Sequence, residues 1–173
     1  MQTAVDHSVL SLPREQWLEH PHYPQQALLL GSHRHFRRLS RILAQRAESG
    51  GDTTAIRRLF MQWKHMMTHG HERYEEHKLY PYLEARWEIS CGTLREGHAD
   101  LHACDAAVRE ALDSSDSEAS SALAEALWAH DAVLNEHLDR EEEIVVPALL
   151  ALSPEEFETY SHSDIRTLLW TLR

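Results

Sequence analysis

Residues 71–81 read H-E-R-Y-E-E-H-K-L-Y-P, and residues 137–147 read H-L-D-R-E-E-E-I-V-V-P. Both stretches contain a histidine, a glutamate four residues later and a proline six residues after that glutamate, so H-x-x-x-E-x5-P occurs twice, 66 residues apart. A histidine also lies upstream of each copy, His33 by 38 residues and His98 by 39 residues. The matched spacing indicates two similar halves, each with a histidine helix followed by an H-x-x-x-E helix.

The H-x-x-x-E spacing places both side chains on one face of a helix, because residues four apart lie about one turn from each other. The apolar positions Trp63, Met67 and Tyr74 border His71 and Glu75, so this pair is expected to face inward. The same reasoning applies to the second copy. Inward carboxylates and imidazoles are costly unless a partner neutralises them, and this combination suits iron, manganese or zinc. One such pair is more often simply hydrogen bonded, whereas two matched copies favour two metal ions bridged by carboxylates.

Turn residues and helix-capping signals divide the chain into five helical segments. We place these segments at residues 24–48, 53–88, 93–113, 117–151 and 154–171. The spacing of a capping box, a serine or threonine with a glutamate three residues later, occurs at Thr93, Ser115 and Ser153. Residues 1–23 contain Pro13 and Pro21, and Pro24 follows directly, which predicts an irregular arm with one short helix.

Four amphipathic helices joined by short loops predict an all-α fold, an up-down four-helix bundle, in one domain that covers residues 1–173. The bundle core spans about 24–152, and the extra C-terminal helix, 154–171, either caps it or contacts a second subunit in a homodimer. The apolar stripes consist of Ile56, Phe60, Trp63, Met67 and Tyr74 in the second segment and Leu123, Leu127, Val133, Leu134 and Ile144 in the fourth.

Composition argues against several classes of protein. The chain has 17 basic and 28 acidic residues, a net charge of −11, which disfavours nucleic acid as a partner. Its longest apolar run, residues 144–152, contains Pro147 and is far shorter than the roughly twenty residues of a membrane span. No signal-peptide pattern begins the sequence, and Cys91 and Cys104 make no disulfide framework. We therefore expect a cytoplasmic protein without a membrane partner.

The repeated motif and its upstream histidines resemble the hemerythrin-like, or HHE cation-binding, domains over roughly residues 28–152. The resemblance implies a non-haem centre of two iron ions, joined by an oxo or hydroxo bridge, inside a four-helix bundle. By position it assigns His33 and His71 to one iron, His98 and His137 to the other, and Glu75 and Glu141 to the carboxylate bridges.

Two positions leave the implied ligand set open. His102 lies four residues after His98 and matches a histidine that oxygen-carrying hemerythrins have and many HHE domains lack, so we expect it to be a fifth histidine ligand. Oxygen carriers place the last carboxylate five residues after the histidine, which is Glu142 here. The internal repeat favours Glu141 instead.

A count of coordination positions links His102 to function. A pair of six-coordinate iron ions has about twelve positions, and two carboxylates, five histidines and a solvent-derived bridge leave one. One open position suits reversible binding of a small diatomic, O2 or NO, for storage, transport or sensing. Without His102 two positions remain, which suits a di-iron oxidoreductase or an iron donor in oxidative or nitrosative stress or in iron–sulfur cluster repair. A regulatory module with a structural or iron-sensing metal is the third hypothesis, and the sequence does not decide whether the chain is an enzyme.

The surroundings of the predicted centre are expected to be small and dry. Phe36, Trp63, Leu101 and Ile144 would form apolar walls that admit a diatomic ligand but no bulky substrate. Among the remaining histidines, His130 lies about 10 Å along the helix from the centre and is expected to pack or to act from behind the ligands. The histidines expected to face away are His35, His65, His69 and His77.

Overall fold

The computed structural model describes residues 7–114 and 119–172, and at 24–29 and 119 the backbone alone. Its α-helices are α1 (Tyr23–Glu48), α2 (Thr53–Met66), α3 (Tyr80–Trp87), α4 (Gly92–Asp113), α5 (Ala119–Leu150), α6 (Pro154–His162) and α7 (Ile165–Thr171). This part of the chain contains no strand, which confirms the all-α prediction. None of its helices combines the length and the hydrophobicity that a membrane-spanning segment requires.

The continuous helical segment that carries the first H-x-x-x-E motif, residues 53–87, is not a uniform α-helix. Two π-helical segments, Met67–Glu72 and Glu75–Leu79, join α2 to α3 without a break. A π-turn is wider than an α-turn and is frequent at functional sites. The predicted stripe therefore holds up to Met67 but fails at Tyr74, which is 41% exposed and whose hydroxyl contacts the hydroxyl of Tyr160.

The other predicted core positions are mostly correct. The buried residues of the two stripes are Ile56, Phe60, Trp63, Met67, Leu123, Leu127 and Leu134. Val133 and Ile144 are only partly buried and pack against the edges of the apolar clusters. Helical periodicity thus predicts which residues of segment 53–87 and of α5 face the core, except where the π-turns change the register.

The predicted C-terminal helix is two helices, since α6 ends at His162 and α7 begins at Ile165. The Asp164 carboxylate accepts hydrogen bonds from the backbone N–H groups of Arg166 and Thr167, at 2.9 and 3.1 Å, and so starts a new helix. Phe157 and Leu168 are buried in an apolar cluster with α3 and the end of α5. Both helices therefore cover this end of the molecule, while the homodimer stays a prediction.

The capping signals have different outcomes. At Ser153 the capping box is present, because Ser153 Oγ accepts from the backbone N–H of Glu156 and the Glu156 carboxylate accepts from that of Ser153. The Thr93 box does not form, since α4 already begins at Gly92 and has no side-chain cap. The Ser115 box lies outside the described residues.

The N-terminal arm contains two short 3-10 helices, His7–Leu10 and Arg14–Glu19, where one was predicted. Trp17 anchors the second of them. Its ring is buried against Val146 and Leu150 of α5, and its indole N–H donates to the carbonyl of Leu12 at 2.9 Å.

The long helices form a closed ring of contacts, in which α1 packs on α2 and α5, and α4 packs on the same two elements. Two apolar clusters fill the interior. One contains Phe36, Leu101 and Leu134, and the other contains Leu94 and Val145. Between these residues lie the polar side chains of the repeated motif and its upstream histidines, on α1, α4, α5 and the π segments that follow α2.

Candidate metal centre

Six of the seven predicted ligands converge on one buried volume between the apolar clusters. α1 supplies His33, the π segments supply His71 and Glu75, α4 supplies His98, and α5 supplies His137 and Glu141. All are buried except His71, whose side chain retains slight exposure. The inward orientation predicted from helical spacing is thus confirmed for these six residues.

In the first half of the group, three imidazole and carboxylate contacts are close. His33 Nε2 lies 3.0 Å from His71 Nε2 and 3.4 Å from Glu141 Oε2, and His71 Nε2 lies 2.8 Å from Glu75 Oε1. One ligand atom from each of these four residues lies within 4.8 Å of the others. This set could hold a metal ion.

In the second half, His98 and His137 face each other with ring centroids 4.7 Å apart. His98 Nε2 lies 3.3 Å from Glu75 Oε2, and His137 Nε2 lies 3.9 Å from Glu141 Oε2. Glu75 therefore directs one oxygen toward each half, which is the geometry that a bridging carboxylate needs.

Unpaired polar atoms in the group show that its residues fit a bound cation. Both carboxylate oxygens of Glu75, Oε2 of Glu141, and Nε2 of His98 and of His137 are buried, and none makes a hydrogen bond of normal angle within the described residues, although Glu75 Oε1 lies 2.8 Å from His71 Nε2. Buried polar atoms without partners are costly and uncommon. Coordination would satisfy these atoms, and a mixture of imidazole and carboxylate donors suits iron, manganese or zinc.

The electrostatics of the group also call for a positive charge. Burial and the neighbouring Glu75 carboxylate raise the pKa of Glu141 well above its ordinary value. Burial would raise the pKa of Glu75 too, but the imidazoles of His71 and His98 hold it low. Burial and the nearby His98 lower the pKa of His137 to about 3. The two carboxylates repel each other, so Glu75 is ionised while Glu141 retains its proton. A cation between them would stabilise both in the ionised form.

Glu142 holds His33 from behind and does not face the centre. Its Oε1 lies 2.9 Å from His33 Nδ1, and it also accepts from Arg37 at 3.0 Å and pairs with Arg14 at 2.9 Å. Glu141, in contrast, points to His33 Nε2. The two glutamates between which the sequence left a choice therefore occupy opposite sides of the same imidazole.

Glu76 repeats this arrangement in the other half. Its Oε1 lies 2.9 Å from His98 Nδ1, and its Oε2 accepts from Arg95 at 3.1 Å. Each copy of the motif thus supports the upstream histidine of the opposite copy. The sequence does not assign this role, although a visible signal exists in the glutamate doublet that follows both motif histidines by four and five residues.

Two further residues shape the centre without a recognisable sequence signal. The Tyr80 hydroxyl donates to Glu141 Oε1 at 3.0 Å, and its ring stacks on that of His98 at 5.8 Å. The equivalent position in the second copy is Val146, so only one carboxylate has a hydroxyl partner of this kind. At Gly97 a Cβ atom would lie 2.4 Å from His137 Nδ1, so the missing side chain makes room for this imidazole.

His102 is the predicted ligand that the structure does not bring to the group. It is exposed, and its Nε2 lies 2.8 and 2.9 Å from the two carboxylate oxygens of Glu72. His102 lies one turn of α4 beyond His98, at the exposed rim of the bundle. There the Glu72 carboxylate pairs with it.

The remaining histidines behave as their positions predict. His35, His65, His69 and His77 are exposed. His130 is buried, but its Nε2 lies 3.2 Å from Asp105 Oδ1 and its ring packs on Trp63, so it acts in packing and not in the group.

An all-α fold with a buried group of histidines and glutamates is typical of helical cation-binding proteins. Comparison with protein families is specific: residues 26–149 match the model of the hemerythrin HHE cation-binding domain, and the chain belongs to this family. Comparisons with curated proteins and with solved structures give no significant match.

Proposed function

We propose that this chain is an up-down four-helix bundle that holds two iron ions and performs redox chemistry on a small molecule such as O2, NO or a peroxide. The observation that supports it is the convergence of two matched halves on five buried donor atoms without partners. The two ligand sets are His33 with His71 and His98 with His137, bridged by Glu75 and Glu141.

The chain's own residues prepare such a centre in three ways. Glu142 and Glu76 accept from Nδ1 of His33 and His98, which directs each Nε2 inward. Glu75 and Glu141 supply the negative charge that iron requires. Tyr80 holds one carboxylate oxygen in place through its hydroxyl hydrogen bond.

The position of His102 favours redox chemistry over simple carriage. With His102 held by Glu72, four histidines remain, and about two of the twelve positions of an iron pair stay open. When bound, iron would supply open positions and exchangeable electrons to a small molecule. The apolar residues Phe36, Trp63 and Leu101 are buried beside the group and limit the entry of bulk water.

Reversible binding of O2 or NO is the second candidate, and those same buried apolar walls favour it, because excluding water slows irreversible oxidation. Against it stands the access to His71. A cavity of about 720 Å³ reaches this residue, much more space than a diatomic ligand needs and more than the sequence predicts.

The test starts with the purified protein, its iron counted per chain and its visible spectrum recorded when reduced. We expect about two iron ions per chain. After mixing with O2 and removal of the gas, a spectrum that stays oxidised supports the redox function, and one that returns to the reduced form supports the second candidate. Absence of iron after reconstitution, with an unchanged spectrum, would contradict both.

A further inference from the structure

Most of the surface that lines the cavity beside His71 is apolar. It lies between α1, the π segments, the end of α5 and α6, and its volume is about 720 Å³. Its apolar lining comes mainly from Phe36, Met66, Leu79, Leu149 and Phe157. A space of this size and character suits a small organic molecule with an apolar body.

The inner end of this cavity touches the candidate centre. His71 lines it, and the same imidazole lies 2.8 Å from Glu75 and 3.0 Å from His33 through its Nε2. The ring of Phe36, also in the lining, lies 5.1 Å from the ring of His71. A molecule in the cavity would therefore lie directly against a predicted ligand.

Gly70 is one of the residues that line the cavity. It lies within the first π segment, directly before His71, and a Cβ atom there would meet nothing within 4 Å. Glycine inside a helix costs about 1 kcal/mol relative to alanine. No close contact at this position requires that cost, and a larger side chain fits there without a clash at its Cβ.

Lys78 gives the cavity a positive charge that no carboxylate of the described residues contacts directly, although Asp164 acts on it from farther away. Only two lysines occur in this acidic chain, and the other, Lys64, is paired with Asp105. No carboxylate of the described residues lies within 4.0 Å of Lys78 Nζ, which sits 4.9 Å from the Tyr160 ring and donates to the carbonyl of Ser161 at 3.4 Å. The one carboxylate in the lining, Glu158, pairs with His162 at 3.4 Å.

We propose that this cavity binds a small organic carboxylate with an apolar body. Its carboxylate pairs with the Lys78 ammonium, and its apolar body lies against Phe36 and Phe157 toward His71. Occupancy of the cavity does not depend on the proposed redox function, because every contact comes from the protein's own side chains.

Calorimetric titration of decanoate into the full-length protein tests this inference, with decanol as the uncharged control. Gly70→Leu is expected to weaken binding of both ligands at least tenfold, since its side chain enters the cavity. Gly31→Leu is the matched control, because Gly31 is also helical, has open space at its Cβ and does not line the cavity. Lys78→Met is expected to weaken decanoate about tenfold and to leave decanol unchanged.

Absence of decanoate binding at millimolar concentration would overturn the proposal, as would equal effects of Lys78→Met on both ligands. Far-UV circular dichroism checks that each variant folds. The titration is made on iron-free and on iron-loaded protein, so decanoate binding without iron uptake would contradict the proposed function alone, and iron uptake without decanoate binding would contradict this inference alone.

Discussion

Two buried polar layers lie about 10 Å apart along the helices, and only one of them has the character of a metal site. Each residue of the layer formed by Lys64, Asp105 and His130 is seven residues, about two turns, from a predicted ligand histidine. In this second layer Lys64 Nζ contacts Asp105 Oδ2, and His130 Nε2 lies 3.2 Å from Asp105 Oδ1. The layer is therefore neutralised by a cation of the protein itself.

The layer of the candidate centre has no such internal cation. Among the carboxylates next to the predicted ligands, Arg37 and Arg95 contact Glu142 and Glu76, which lie behind the histidines, and not Glu75 or Glu141. Glu75 and Glu141 contact imidazoles and one tyrosine hydroxyl but no lysine or arginine among the described residues. Burial and heptad spacing are common to both layers and therefore do not distinguish a metal site. The distinguishing feature of the candidate centre is that no lysine or arginine among the described residues neutralises its carboxylates.

The largest effect should follow from removing a bridging carboxylate. Glu75→Ala or Glu141→Ala is expected to lower the iron content from about two ions per chain to one or fewer, because the inward histidines lose their shared partner. The melting temperature of the iron-loaded protein should fall with it. Metal analysis after reconstitution measures the first effect, and calorimetry measures the second.

Glu143→Ala is the matched control for both carboxylate variants, since this glutamate belongs to the same run on α5 and is exposed. It should retain the iron content of the unmodified protein. Full iron occupancy in both Glu75→Ala and Glu141→Ala would show that neither carboxylate bridges.

The second layer should respond to loss of its cation in stability and not in iron content. Lys64→Met leaves the buried Asp105 carboxylate with one partner fewer, and we expect a loss of roughly 3 kcal/mol in the free energy of unfolding at pH 7. Urea unfolding of the iron-free protein measures it. Arg140→Met, which breaks the exposed pair with Glu136, is the control and should change stability by less than about 1 kcal/mol.

The pH dependence of that loss has a definite sign. Burial raises the pKa of Asp105, but the neighbouring His130 and Lys64 outweigh it and hold the pKa below the ordinary 3.8. A carboxylate with a lowered pKa stabilises the fold above its unfolded pKa and loses that contribution as pH falls through the folded value. The difference between Lys64→Met and the unmodified protein should therefore shrink below about pH 3.8. A difference that grows with acidification would contradict the assignment.

The sequence predicts the centre better than it predicts the surroundings. Repeat spacing and helical periodicity suffice to bring His33, His71 and His98 inward, because ligand spacing on a helix is a local property. The pairing of His102 with Glu72 joins α4 to the first π segment and depends on how these two elements pack. The π-turns on either side of Tyr74 change the direction of its side chain from the one that a regular α-helix would give. Such contacts are tertiary, so a pattern within one helix does not contain them.

A smaller effect is expected from the glutamates behind the histidines. Glu142→Gln and Glu76→Gln should each weaken iron affinity by about tenfold to a hundredfold, since they remove the charge that holds His33 and His98 by Nδ1. Iron titration against a competing chelator measures the affinity, and Glu143→Gln serves as the exposed control. Because the two arrangements match, the losses should be similar. A large loss in only one variant would show that the two halves are not equivalent.

The smallest effect should follow from His102→Ala, and it decides between the five-histidine and the four-histidine ligand sets. His102 is 45% exposed at its side chain and pairs with Glu72 at 2.8 Å, so its removal should cost only about 0.5 kcal/mol of stability. The iron content should stay at that of the unmodified protein, and so should the spectrum of the iron-loaded form. His98→Ala, one helical turn away and buried in the group, should lose iron in the same assay. If His102→Ala instead loses iron as His98→Ala does, Glu72 must release the His102 imidazole when iron binds. The iron pair would then have one open position, and reversible binding of a diatomic ligand would become the better supported function.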